Sequence, residues 1–249
     1  MGRRTSPRLS LLTRLAATAF LALAAQAVTA SPAGAAVTVG TTFTPTDVFG
    51  TLGAPGTLIQ SGSPANSYTV PTNGVITSWS FRAAAGTTPP LKLKVVRPAG
   101  GDDFTTVGDS QLETPTASSL NTWPTRISVK AGDLIGHGYT NDTVGFRTAS
   151  GFNTHELCCS DPVLDPPAGT TATYRPNTDL QIDVSAILEP DADQDGFGDE
   201  SQDRCPTNGS TQGTCPATGQ RAAALKKCKK KHSKAKRRKC RNKAKQLPF

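Results

Sequence analysis

The chain has 249 residues, only 6% of them aromatic, with 23 Gly and 19 Pro. That mix suits short strands joined by turns and counts against a helical bundle. The net charge of +8 is a sum of opposed parts. Residues 37–220 hold nine basic residues and all nineteen acidic ones, whereas 221–249 hold fourteen Lys or Arg and no acid. The net value therefore says less about partners than the split between an acidic body and a basic tail.

Arg3, Arg4, Arg8 and Arg14 head a short apolar run from Leu15 to Val28, and small residues follow, with Ala33-Gly34-Ala35 fitting a peptidase site. Basic, apolar and small segments in that order predict a secretory signal peptide over residues 1–35. The apolar run is shorter than the roughly 20 residues a membrane span needs, which disfavours an anchor. A soluble chain exported from a bacterium, beginning near Ala36, is the expectation. In such a chain an even count of six cysteines favours disulfides over metal thiolates.

Residues 36–188 predict one all-β domain. Leu91-Lys-Leu-Lys-Val95 alternates apolar and basic residues, the period-2 mark of a half-buried strand, and Leu180 to Ala186 alternates apolar and polar residues in the same way. In Val75 to Phe81 one face carries Val75, Trp79 and Phe81. Further strands are expected at 57–60, 67–70, 104–107, 123–129, 133–139, 144–149 and 170–174, with Gly, Pro, Asn and Asp clusters between them. Eight to ten short strands at this spacing predict a β-sandwich of jelly-roll type.

Residues 189–216 have almost no apolar residue and cannot build a core, so metal and disulfide must order them. Asp191, Asp193, Asp195 and Asp199 stand at positions 1, 3, 5 and 9 of a loop with Gly196 at position 6. Ca2+ takes six to eight oxygens at roughly 2.3–2.6 Å, and alternate carboxylates converge on one centre if the chain bends sharply, which Gly196 permits. The Phe197 carbonyl at position 7 would add a main-chain oxygen. Position 12 is Gln202, a poorer ligand than the Glu of an EF-hand loop, and no apolar periodic helix flanks the loop. Cys205 and Cys215 enclose a small turn-rich loop whose closure would contribute about 2–3 kcal/mol.

Asp191, Asp193, Asp195, Gly196, Asp199, Asp203, Cys205 and Pro206 together resemble the thrombospondin type-3 calcium repeat, over about 18 residues. The resemblance implies a calcium site without helices, with Asp203 among its ligands. Three residues, Glu200-Ser201-Gln202, separate Asp199 from Asp203 where the family has two, so Glu200 competes with Asp203 for that role.

In the segment 217–249, Arg221 to His232 consists of good helix formers, and Ser233 is placed to cap a second helix through Lys245. Cys228 and Cys240 would lie about 18 Å apart on one continuous helix, beyond disulfide reach. Bonding to each other requires a reversal near His232-Ser233, hence a helical hairpin. The tail resembles the Lys/Cys-rich ends of other bacterial secreted proteins. Its cations suit polyanions such as wall polymers or anionic head groups. Lacking aromatics before the terminal Phe249, it is not expected to read nucleic acid specifically.

No nucleophile elbow, zincin helix or phosphate loop occurs. His137 is expected in a strand and His155 in a loop. Cys158 and Cys159 are left to bond each other, stay free or link chains. The expected function is a non-catalytic, calcium-binding binding protein at the cell surface, whose sandwich recognises a ligand such as a polysaccharide. The alternatives are a secreted hydrolase with a carboxylate or His site in the sandwich, and a structural spacer.

Overall fold

Leu58 and Ile59 are neighbours in sequence and both fully buried, yet they belong to two different apolar clusters. Successive strand residues face opposite ways, so the sheet that carries them is covered on both sides. The computed structural model describes residues 34–48, 54–86, 89–141, 144–159, 161–215 and 219–245. The export signal expected over 1–35 lies outside them, except for its last two residues.

The strands are β1 (Val37–Thr41), β2 (Asp47–Val48), β3 (Gly56–Gly62), β4 (Gly74–Arg82), β5 (Leu91–Gly100), β6 (Asp103–Asp109), β7 (Leu120–Val129), β8 (Leu134–Tyr139), β9 (Gly145–Cys158), β10 (Thr171–Thr173), β11 (Arg175–Ile182) and β12 (Val184–Glu189). All ladders are antiparallel. One sheet runs β1-β12-β4-β7. The other runs β10-β6-β5-β8-β3-β9-β11, with β2 on β9. The chain passes back and forth between β1, β12, β4, β7 and β3, β8, β5, β6, which is the path of a jelly roll. Strands β9 to β11 are an insertion that widens the second sheet. The all-β sandwich is thus confirmed.

Between the sheets lie Leu58, Tyr68, Ile76, Trp79, Phe81, Leu91, Leu93, Val95, Ile135 and Val184. Each buried apolar side chain of this size contributes about 1.5–3 kcal/mol. On the outer face of the larger sheet, Ile59, Val96, Phe104, Leu134, Leu157 and Tyr174 form the second cluster. The segment 161–170 meets that face. Thr57 Oγ1 donates to Leu164 O at 2.8 Å, and Lys94 Nζ donates to Pro166 O at 2.9 Å. Lys94, an outward residue of β5, is therefore wholly buried, between Asp109 and Asp165.

Four expectations need correction. Val75 does not share the core face of Trp79 and Phe81, because a bulge between Ile76 and Ser78 puts Ile76 there instead. The segment 67–70 is not a strand. Pro64–Asn66 form a 3-10 turn with positive φ at Ala65 and Asn66, and only Thr69 makes an isolated bridge. Residues 180–186 are not one strand, since the chain crosses from β11 to β12, and so between sheets, at Asp183. Finally, β9 runs on to Cys158, so His155 lies in a strand.

The tail forms α1 (Gln220–Lys229) and α2 (Lys234–Ala244). The chain reverses between them and Cys228 is bonded to Cys240. Ser233 stands at the N-cap with extended backbone, but its hydroxyl makes no capping bond. Among the described residues no helix is long and apolar enough to cross a membrane.

Candidate metal centre

Pro190 follows β12, and its carbonyl accepts from Asp199 N at 2.9 Å. That bond closes residues 190–199 into a loop. Inside it, Asp191 Oδ1 accepts from Asp195 N and Oδ2 from Gly196 N, both at 3.0 Å. Asp195 Oδ1 accepts from Phe197 N at 2.9 Å. Gln194 and Gly196 take positive φ, 60° and 84°, and these two turns fold the carboxylates inward.

The result is a group of one oxygen each from Asp191, Asp193 and Asp195, all within 4.8 Å of one another. Oxygens on opposite sides of a cation at about 2.4 Å would stand that far apart, so the cluster could hold a metal ion. Both oxygens of Asp193 are buried without a donor in full hydrogen-bond geometry, and the nearby Asn208 backbone N–H only partly offsets that burial. Asp203 is 3% exposed. Its Oδ1 accepts from Cys205 N at 2.7 Å, while its buried Oδ2 has no partner. A buried carboxylate oxygen without a donor is costly unless a cation faces it. Burial, followed by the neighbouring carboxylates, raises the pKa values of Asp193 and Asp199 above the usual range.

Asp199 stands just outside the tight group, with both oxygens accepting from Ala192 N at 3.3 and 3.2 Å. Glu200 is turned outward, and its Oε1 accepts from Ala36 N. Gln202 is turned to the sandwich. Its Nε2 donates to Thr125 O at 2.8 Å and its Oε1 accepts from Gly198 N at 3.3 Å. The ring of Phe197 lies under the Arg126 guanidinium of β7, 4.1 Å from its centre.

Sequence reasoning missed the group that docks this loop. Glu189, 3% exposed, accepts from Thr77 Oγ1, Ser201 Oγ, Glu200 N and Ser201 N. These donors hold its carboxyl below its ordinary pKa, against the opposing effect of burial. Gly198 fits beneath it only because it lacks a Cβ, which would lie 2.5 Å from both Glu189 Oε2 and Thr77 Cγ2. From the other side, the loop closed by Cys205–Cys215 sends Gln212 Nε2 to Asp195 Oδ2 at 2.9 Å. Between the carboxylate loop and the ends of β4 and β7 lies a cleft lined by Asn73, Ser128, Lys130, Asp191, Gln194 and Asp195.

His137 sits in the core between Phe81 and Tyr139. It is fully buried with neither ring nitrogen hydrogen-bonded, and burial pushes its pKa down to about 4. That position does not serve a catalytic base. His155 instead bridges Ser61 Oγ (2.7 Å, through Nδ1) and Asp102 Oδ1 (3.0 Å, through Nε2), with Phe104 edge-on to its ring. No protein-family model, curated protein or solved structure matches the chain.

Proposed function

We propose that this is an exported, non-catalytic calcium-binding protein that associates with a cell surface. The bound ion is Ca2+, held by Asp191, Asp193 and Asp195 with Asp199, Asp203 and the Phe197 carbonyl completing an oxygen shell in the manner of a thrombospondin type-3 repeat. The observation that carries this reading is the pairing of three convergent carboxylates with the buried, partnerless Oδ2 of Asp203. All the donors are oxygens, which suits a hard cation. The ion stiffens the junction between the acidic sandwich and the basic tail. The polar cleft beside the loop suits a hydroxyl-rich ligand, so a polysaccharide or wall polymer is the class of partner. The tail adds non-specific attraction to polyanions.

Isothermal titration of residues 36–249, disulfides intact, tests the metal reading. One calcium site at millimolar affinity or tighter is expected, and it should vanish in Asp193→Asn. No heat and no thermal stabilisation at millimolar Ca2+ would refute it. Pull-down against wall fragments and polysaccharides, with and without chelator, tests the partner. Binding that the tail alone reproduces and that about 0.5 M salt abolishes would reduce the partner reading to electrostatics.

One observation favours a hydrolase instead, the Ser61–His155–Asp102 contact. It predicts covalent labelling of Ser61 by a fluorophosphonate, and the non-catalytic reading predicts none.

A further inference from the structure

Four of the six cysteines are bridged, Cys205 to Cys215 and Cys228 to Cys240, which leaves Cys158 and Cys159. Consecutive strand residues point to opposite faces, so sequence neighbours in a strand do not touch. Here the strand ends between the two. Cys158 is the last residue of β9, opposite Gly56. Cys159 turns into the left-handed region at φ 64°, which a non-glycine residue seldom adopts. The turn brings the two Sγ atoms to 2.7 Å. Unbonded sulfurs do not settle so close, and a disulfide bond is about 2.05 Å long.

The surroundings hold this turn without help from the sulfurs. Asp161 Oδ2 accepts from Cys158 N at 2.8 Å and pairs with Arg175 at 2.7 Å. The same guanidinium donates to Cys158 O at 2.8 Å. Both backbone polar groups of Cys158 are thus clamped by one ion pair, and the adjacent thiols are presented to each other.

We infer that Cys158 and Cys159 form a vicinal disulfide, the third bridge of the chain and the one most open to reduction. In forming it, two S–H bonds break and one S–S bond forms. Two electrons and two protons pass to a disulfide oxidant, which is reduced to two thiols. The same class of oxidant closes the other two bridges. Exchange requires an incoming thiolate to reach a sulfur. Cys159 is exposed, whereas each of the other bridges pairs a buried cysteine, Cys205 or Cys228, with one that is only half-buried, Cys215 or Cys240. Access therefore places this bridge first in order of opening.

The test uses the exported mature chain, purified without reductant, denatured and alkylated. No cysteine should take label, and non-reducing peptide mapping should find the 158–159 peptide lighter by two hydrogens than its dithiol form. Graded reductant on the native protein should expose thiols at Cys158 and Cys159 before any other. Cys159→Ser should leave one alkylatable thiol, at Cys158, with an unchanged circular dichroism spectrum. Label at Cys158 or Cys159 in unreduced protein, or either residue bridged to another cysteine or another chain, overturns the vicinal bond. First thiols at Cys205–Cys215 or Cys228–Cys240 overturn its accessibility.

Discussion

Glu189 Oε1 accepts a hydrogen bond from Ser201 Oγ at 2.6 Å, which ties the last residue of β12 to the turn that follows the carboxylate loop. The same carboxylate takes both backbone N–H groups of that turn and the Thr77 hydroxyl of β4. One side chain thus fixes the carboxylate loop to the smaller sheet.

Glu189→Ala should therefore detach the loop. It leaves buried donors unmet, a cost of about 2–3 kcal/mol. Limited proteolysis within 190–204 should accelerate in chelator, and calcium affinity should fall, while the sandwich keeps its strand signal in circular dichroism. Unchanged cleavage and affinity would show that Phe197 and Gln202 dock the loop unaided.

Lys94 makes a second buried tie, on the larger sheet. Its side chain is 0% exposed and meets Asp109, Asp165 and the Pro166 carbonyl. Lys92 pairs with the same two carboxylates but is 18% exposed. Lys94→Ala empties a wholly buried site of its cation and should cost up to about 3 kcal/mol. Lys92→Ala should cost less, since its ammonium is partly open to solvent and Lys94 still pairs both carboxylates. Chemical denaturation of both variants checks the ranking, and equal losses would refute it.

What was legible in the sequence follows from where one face of a strand meets the core and the other does not. β5 declares itself by alternation, and β4 does so only beyond the bulge that follows Ile76. The second half of β9 does not, because its two buried residues, Thr154 and Leu157, lie on opposite faces and follow no period of two. The break at Asp183 is invisible because Leu180, Ile182, Val184 and Ala186 all stay buried as the chain changes sheets. Lys94 reads as a solvent residue until 161–170 covers it. Asp191, Asp193 and Asp195 are legible because their spacing is local. The burial of Asp203 and the docking role of Glu189 depend on packing against distant strands, which no local spacing records.

Asp183, at the crossing from β11 to β12, carries a pH dependence. It is wholly buried and accepts from Phe43 N at 3.0 Å and Arg82 N at 2.9 Å. Burial outweighs these bonds and pushes its pKa up to about 7. The folded state then binds a proton more tightly than the unfolded chain. The stability this confers is complete below about pH 4 and is lost as pH rises through about 7, with a limit of roughly 4 kcal/mol. The melting temperature in excess chelator should fall between pH 5 and pH 8. Asp183→Asn should flatten that slope even though its amide mismatches one N–H and lowers stability overall. An equal slope in the variant would assign the titration elsewhere.

The tail rests on its disulfide more than on packing. Its buried residues within α1 and α2 are Cys228 and Ala244 alone, and the lysines and arginines of both helices repel one another. Short isolated helices are marginal in water, so the Cys228–Cys240 bridge, twelve residues apart in sequence, supplies what a core would. A loop of that size contributes about 3 kcal/mol in the chain-entropy model. The double variant Cys228→Ser and Cys240→Ser should lose the helical circular dichroism of 220–244 and leave the melting of the sandwich unchanged. Polyanion binding should survive, because it depends on charge and not on helix geometry. Its affinity for a heparin or polyphosphate column should still fall steeply with salt. Loss of polyanion binding along with the helices would show instead that the hairpin presents its cations in a specific array.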